Sequence, residues 1–394
     1  MTKPTPFQIH ATDSQLEYLK ARLENARWPE QETVSDWSQG TPLAYMQEIS
    51  AYWAREYDWR TREAKLNTLD QFRAEADGFG LHFVHMRSPH PQAKPLLLSH
   101  GWPGSIVELA KAIPMLLDPP AYGGDAADAF HVVAPSLPGF GFSDKPTETG
   151  YGVQKIAALF DRLMRDLGYD RYFAQGGDWG SMITTMIGAQ NLGACQAIHV
   201  NMPIGRPTAE ETANPTAEDK AGIAALKAYN DWDMGYSKQQ STRPQSVGYG
   251  LVDSPVGQAA WIIEKFWRWT DCNGHPENAL SRDEMLDNIM LYWLPETAAS
   301  SARLYWESFG KPILKETGPA TLPAGCSLFP KEIFRPPRHW AERTYTNIIH
   351  WNELDKGGHF AAFEQPETFV DEVRACFRLV QGMAGALCLR RSLP

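Results

Sequence analysis

The chain has 394 residues, 43% of them hydrophobic, with 14 Trp, 14 Tyr and 17 Phe, enough apolar surface for a large core and too much for a disordered chain. A formal net charge of -10 argues against binding to phosphate backbones, which needs clustered Lys and Arg, so no nucleic acid partner is expected. The five cysteines, Cys195, Cys272, Cys326, Cys376 and Cys388, are scattered without a C-x-x-C pair, which suits a reducing compartment and gives no reason to expect a zinc site or any other metal.

The first residues, MTKPTPFQIHATDSQ, lack the basic flank and apolar run of a signal peptide, and no 18-residue apolar segment follows. A cytoplasmic protein without a membrane anchor is the expectation. From Thr12, Leu16, Leu19, Leu23 and Ala26 recur at helical spacing, predicting a helix with one buried face that stops at Trp28-Pro29. A second, aromatic helix is predicted over 42 to 59, so that residues 1–70 read as an all-helical leader.

After residue 70 short apolar runs alternate with helical patterns, the texture of an α/β fold with a mostly parallel sheet. The strand candidates are 81–86, 95–100, 130–135, 171–176 and 194–200, with a helix at 153–168 closed by Gly168. Over 205–310 helices dominate: 254–271, then 281–294 opening with Ser281 and Glu284 at capping-box spacing, then 297–310 ending on Gly310 as a C-cap. Strand texture resumes at 326–332 and 345–351 before a last helix from Pro366. A sheet (71–204 and 311–394) interrupted by helices predicts a lid (205–310) over the carboxyl edge of the strands, where ligands of open α/β sheets bind.

The stretch GGDWG (176–180) lies between a predicted strand and a predicted helix, the context of the G-x-S-x-G nucleophile turn, but carries Asp178 at the apex. Serine with a histidine base suits acyl transfer, whereas an ionised carboxylate suits displacement at an alkyl carbon and needs no base at neutral pH. Taken in isolation, a G-x-D-x-G turn reads first as Asp178 capping the helix that follows. LLLSHGWPGS (96–105) is a buried strand running into a turn from which hydrolases donate an oxyanion-hole N–H. Trp102 and Trp179 are thus the expected backbone donors. His359, in a glycine-flanked loop after the last strand, completes the chain order of nucleophile, acid and histidine. For the acid, Glu332 is the first candidate, with Glu353 and Asp355 as competitors.

With HGWPGS, GGDWGS, GYSKQQSTRPQSVGYGLVDSPVG, FPKE and GGHFAAFE in hand, the chain resembles the epoxide hydrolases of the α/β-hydrolase superfamily. The likeness is to the microsomal and fungal type with an N-terminal helical region, which includes juvenile hormone epoxide hydrolases, and it extends over nearly the whole chain. The resemblance implies an α/β-hydrolase fold with an inserted helical lid and no cofactor. It implies Asp178 as nucleophile, His359 as base and Glu332 as its partner. It places two lid tyrosines that hydrogen-bond the epoxide oxygen at Tyr236 and Tyr305, with Tyr249 and Tyr292 as alternatives. A phenol is suited to the task because it is neutral at pH 7 and can donate to the alkoxide of an opened ring. The expected partner is a small-molecule epoxide. A homodimer is the default assembly, though no residue argues for it. Membrane-bound relatives begin with an apolar anchor that this sequence does not show.

A haloalkane dehalogenase shares the aspartate nucleophile, but its halide leaving group favours indole donors over phenols. A serine esterase is excluded by the lack of any G-x-S-x-G. A binding protein that keeps the fold without catalysis is the non-enzymatic alternative.

Overall fold

A computed structural model describes residues 2–76, 78–309 and 317–391, with only the backbone helix described beyond Val380. Gly310, expected as a helix cap, and the Cys388 side chain lie outside the described residues. The leader is not all-helical: a short strand β1 (Thr5–Phe7) precedes helices α1 (Asp13–Glu24), α2 (Leu43–Arg55) and α3 (Trp59–Leu66). Strand β1 pairs antiparallel with β2 (Gln71–Ala76), Thr5 opposite Arg73.

Two helix limits also differ from expectation. Helix α1 opens with a Thr12/Gln15 capping box and ends at Asn25, whose backbone N–H donates to the Ala21 carbonyl, before Trp28-Pro29 is reached. The helix predicted over 42 to 59 breaks because Asp58 accepts from the Arg60 and Thr61 backbone N–H groups and starts α3.

Among the described residues the sheet has nine strands in the order β1-β2-β3-β5-β4-β6-β7-β8-β9. Strands β3 (Phe79–Met86), β4 (Lys94–Ser99), β5 (Phe130–Pro135), β6 (Tyr172–Gly176) and β7 (Cys195–Val200) fall on the predicted runs, followed later by β8 (Ala324–Leu328) and β9 (Ile348–Glu353). From β5 across to β9 all pairs are parallel, while β1, β2 and β3 form an antiparallel margin. The crossings are made by helices α4 (Ala112–Leu117), α5 (Val153–Asp166) and α6 (Trp179–Gln190). Helix α5 buries Val153, Ile156, Ala157, Phe160, Leu163 and Met164, the i, i+3, i+4 stripe of a sheet-covering helix, each large side chain contributing about 1.5–3 kcal/mol. It ends at Gly168, φ 88°, where the left-handed backbone favours glycine.

Between β7 and β8 come α7 (Ala209–Ala213), α8 (Ala217–Ala228), a π-helical turn (Tyr229–Asp233), α9 (Gly235–Thr242) and α10 (Pro244–Asp253), then α11 (Pro255–Trp269), α12 (Arg282–Trp293) and α13 (Ala298–Phe309). The Ser281/Glu284 capping box is formed. Helices α14 (Arg338–Ala341), α15 (Ala361–Glu364) and α16 (Pro366–Arg391) are the last described elements. Among the described residues no helix is long and apolar enough to cross a membrane.

Candidate active site

Strand β6 delivers the chain into a turn that only small residues permit. A Cβ on Gly176 would stand 2.1 Å from the Gly180 carbonyl oxygen, and one on Gly180 would stand 1.8 Å from that of Ser99. Asp178 is held between them at φ 50°, ψ -125°, a conformation that a non-glycine residue adopts only where its surroundings enforce it. Its side chain makes no capping hydrogen bond to α6. Helix capping is therefore not what the carboxylate does. It turns instead toward the β4 loop, where the Trp102 backbone N–H donates to Oδ1 at 2.8 Å. Gly101 must lack a side chain, since its Cβ would lie 2.2 Å from Asp178 Oδ1. Trp179 is the first residue of α6, so its N–H has no acceptor within the helix.

The other carboxylate oxygen, Oδ2, lies 3.2 Å from His359 Nε2, and His359 Nδ1 lies 2.5 Å from Glu332 Oε1. The three groups are buried, with 9%, 5% and 7% exposure for Asp178, His359 and Glu332. Both competing acids are excluded by position: Glu353 and Asp355 are exposed, and Glu353 pairs with Arg335 at 3.1 Å. The loops bearing Glu332 and His359 are joined by their backbones, Lys331 N–H donating to the Gly357 carbonyl. The His359 N–H donates to the carbonyl of Trp269 at the end of α11. Burial disfavours the imidazolium, yet the neighbouring Glu332 and Asp178 carboxylates outweigh it and hold the His359 pKa well above its ordinary value.

Above Asp178 the lid closes an aromatic chamber. Trp102 stacks on Tyr236 with centroids 5.0 Å apart, and Tyr305 stands edge-on to Trp102, Trp179 and Tyr236. Asp178, Tyr236 and Tyr305 line the same cavity of about 130 Å³, whose walls include Met182, Met202, Ile204, Leu226, Phe309 and Phe334. The Tyr236 hydroxyl is 3.1 Å from that of Tyr229. Burial and the Asp178 charge raise the Tyr305 phenol pKa, opposed by the adjacent Trp179 and Tyr236 side chains, but its hydroxyl makes no well-formed hydrogen bond. Of the alternatives, Tyr249 is 71% exposed, and the Tyr292 hydroxyl is committed to the Gly104 carbonyl at 2.7 Å.

A second cavity, about 20 Å³, lies against Asp178, His359, Gln175, Asn201 and Glu108. It has room for one water. Sequence reading missed Glu108, whose pKa burial pushes up to about 8, His359 opposing and Asp178 adding to the rise. Its carboxylate fills the space beside Gly104, where a Cβ would stand 1.9 Å from Glu108 Oε2. Tyr229, which lines the larger cavity, was missed as well, because nothing in its local sequence marks it.

An apex aspartate, a backbone donor from the β4 loop and a histidine after the last strand, on this strand order, define an enzyme of the α/β-hydrolase fold. The sequence pattern of the alpha/beta hydrolase fold family matches residues 94–233, and that described as Epoxide hydrolase N terminus matches residues 4–109. The chain is 54% identical to the "Putative epoxide hydrolase" of Stigmatella aurantiaca (strain DW4/3-1), over 95% of this chain and 84% of that one. It is 33% identical to epoxide hydrolase 1 of Sus scrofa, over 95% and 89%. Among solved structures, juvenile hormone epoxide hydrolase from the silkworm Bombyx mori superposes with a TM-score of 0.88 at 29% identity, covering 98% of this chain and 96% of that one. Aspergillus niger epoxide hydrolase gives 0.85 at 32%, covering 96% and 97%. The chain belongs to the epoxide hydrolase family.

Proposed function

We propose that this enzyme converts a lipophilic epoxide and water to a vicinal diol through a covalent ester on Asp178. The observation that carries the reading is a carboxylate at the floor of an aromatic cavity, facing two buried phenols and backed by a His359–Glu332 pair. The Trp102 amide occupies Oδ1, leaving Oδ2 as the oxygen that attacks a ring carbon while Tyr236 and Tyr305 hold the epoxide oxygen.

Esterification removes the Asp178 charge, one of the two that keep His359 protonated. The imidazole then releases its proton and can accept one from water, with Glu332 fixing its tautomer. The small cavity beside Glu108 is the side from which that water attacks the ester carbonyl. Charge then develops on Oδ1, where the Trp102 and Trp179 amides meet it. Losing one such donor typically costs about 2.7–4 kcal/mol of transition-state stabilisation. The apolar walls of the larger cavity favour a substrate with a hydrocarbon body.

Single turnover with enzyme in excess in 18O-water tests the route. The first diol should carry unlabelled oxygen, taken from Asp178, and His359→Gln should accumulate an adduct of enzyme plus substrate mass. Solvent label in the first diol would exclude the ester.

A further inference from the structure

The two phenols above Asp178 stand in different surroundings. Tyr236, on α9, is 4% exposed, and its hydroxyl has a partner, Tyr229 Oη at 3.1 Å. Tyr229 belongs to the π-helical turn Tyr229–Asp233, lines the substrate cavity and is only partly buried. Over the face of the Tyr236 ring stands the ammonium of Lys265, 4.7 Å from the centroid. Lys265 lies on α11 and is 4% exposed, with Glu264 Oε2 at 2.5 Å as its counter-ion. Tyr305 is placed differently: it packs against the rings of Trp102, Trp179, Tyr236 and Phe309, and although the Trp179 and Tyr236 side chains stand beside its hydroxyl, that hydroxyl makes no well-formed hydrogen bond among the described residues.

A phenol has one proton. When Tyr236 directs it at the epoxide oxygen, the contact with Tyr229 can persist only if Tyr229 is the donor. We infer that Tyr236 is the phenol that surrenders its proton on ring opening, and that Tyr229 and Lys265 are positioning residues that stabilise the resulting phenolate. Tyr305 then contributes a hydrogen bond without transfer. The inference rests on the ester route proposed above.

The step balances. A bond forms between Asp178 Oδ2 and a ring carbon as that carbon's bond to oxygen breaks, and the alkoxide takes the Tyr236 proton. The phenolate, buried in an apolar chamber, accepts a hydrogen bond from Tyr229 and the field of the Lys265 ammonium on its ring. The proton that His359 sheds on esterification restores Tyr236. The proton taken from the attacking water restores His359.

The test measures ester formation by rapid quench and intact mass in the His359→Gln protein, where the ester accumulates. Tyr229→Phe keeps the ring and removes only the hydroxyl. It should slow ester formation about tenfold, and by the same factor with Tyr305→Phe present, but change the rate less than twofold with Tyr236→Phe present. Lys265→Met should follow the same pattern, and Lys265→Arg should restore the rate. An equal loss in the Tyr236→Phe protein would mean that Tyr229 acts on folding or packing, and no loss in any background would mean that it does not act; either overturns the inference. An absence of ester with all three tyrosines in place would instead bring down the covalent route itself.

Discussion

Asp178 occupies backbone geometry that costs a non-glycine residue on the order of 1–3 kcal/mol, and the fold sustains it by packing glycines where any side chain would collide. Those glycines and the loop of His359 are visible in the sequence because they are local: a strand, a tight turn, a helix. Glu332 was less distinct, since Glu353 and Asp355 sit much nearer to His359 along the chain and only the folded loops set them apart from it. Glu108 had no local signal, for its environment is made by β4, β6 and the His359 loop together. Its carboxyl gives a pH prediction. The folded state keeps a proton on Glu108 up to about pH 8, whereas the unfolded chain releases it in the ordinary carboxylate range near 4.3. The folded form then binds more protons across that window, so this group lowers stability as pH rises through it. Glu108→Gln should leave the melting temperature near wild type at pH 5 and raise it above wild type at pH 8. Equal differences at the two pH values would refute the assignment.

At the scale of elements, strands and sheet-covering helices were legible because their apolar periods match their burial. The failures have physical causes. Strand β1 is three residues with Pro4 before it and Pro6 within it and exists because β2 supplies its hydrogen bonds, and the aromatic period over 42 to 59 continues through Asp58, which hides the start of α3. Helix α3 in turn holds the lid. Asp287 on α12, 4% exposed, accepts from the Tyr57 hydroxyl at 2.8 Å and from Arg62 Nε at 2.9 Å. Arg62→Met would leave a buried carboxylate without its cation, and the expected loss is about 3–5 kcal/mol, read as a lower denaturant midpoint. Combining it with Asp287→Leu should recover much of that loss. A single variant within 0.5 kcal/mol of wild type, roughly the noise of a surface change, would show that the pair does not hold the lid.

Across the whole molecule, leader, sheet and lid are interlocked. Trp37 stacks on Trp267 of α11 with centroids 5.4 Å apart, Tyr18 stacks on Trp293 of α12, and Arg22 pairs with Asp253 of α10 at 2.9 Å. The leader also adds a strand to the sheet margin. Such cross-connections predict one cooperative transition in calorimetry, with calorimetric and van't Hoff enthalpies equal. Two resolved peaks, one of them carrying the leader or the lid, would contradict it. The sequence conveyed this organisation only in outline. It separated helical from alternating stretches, but which faces of leader and lid meet depends on side chains more than two hundred positions apart.

The backbone bond from Lys331 to Gly357 has a further consequence. Acid and base ride on two loops laced together, while the attacking carboxylate is anchored separately in the turn after β6. Warming that frays the laced pair would disarm water attack and leave the first bond-making step intact. An overheated molecule would stop with its substrate still attached, consumed by its last customer rather than emptied.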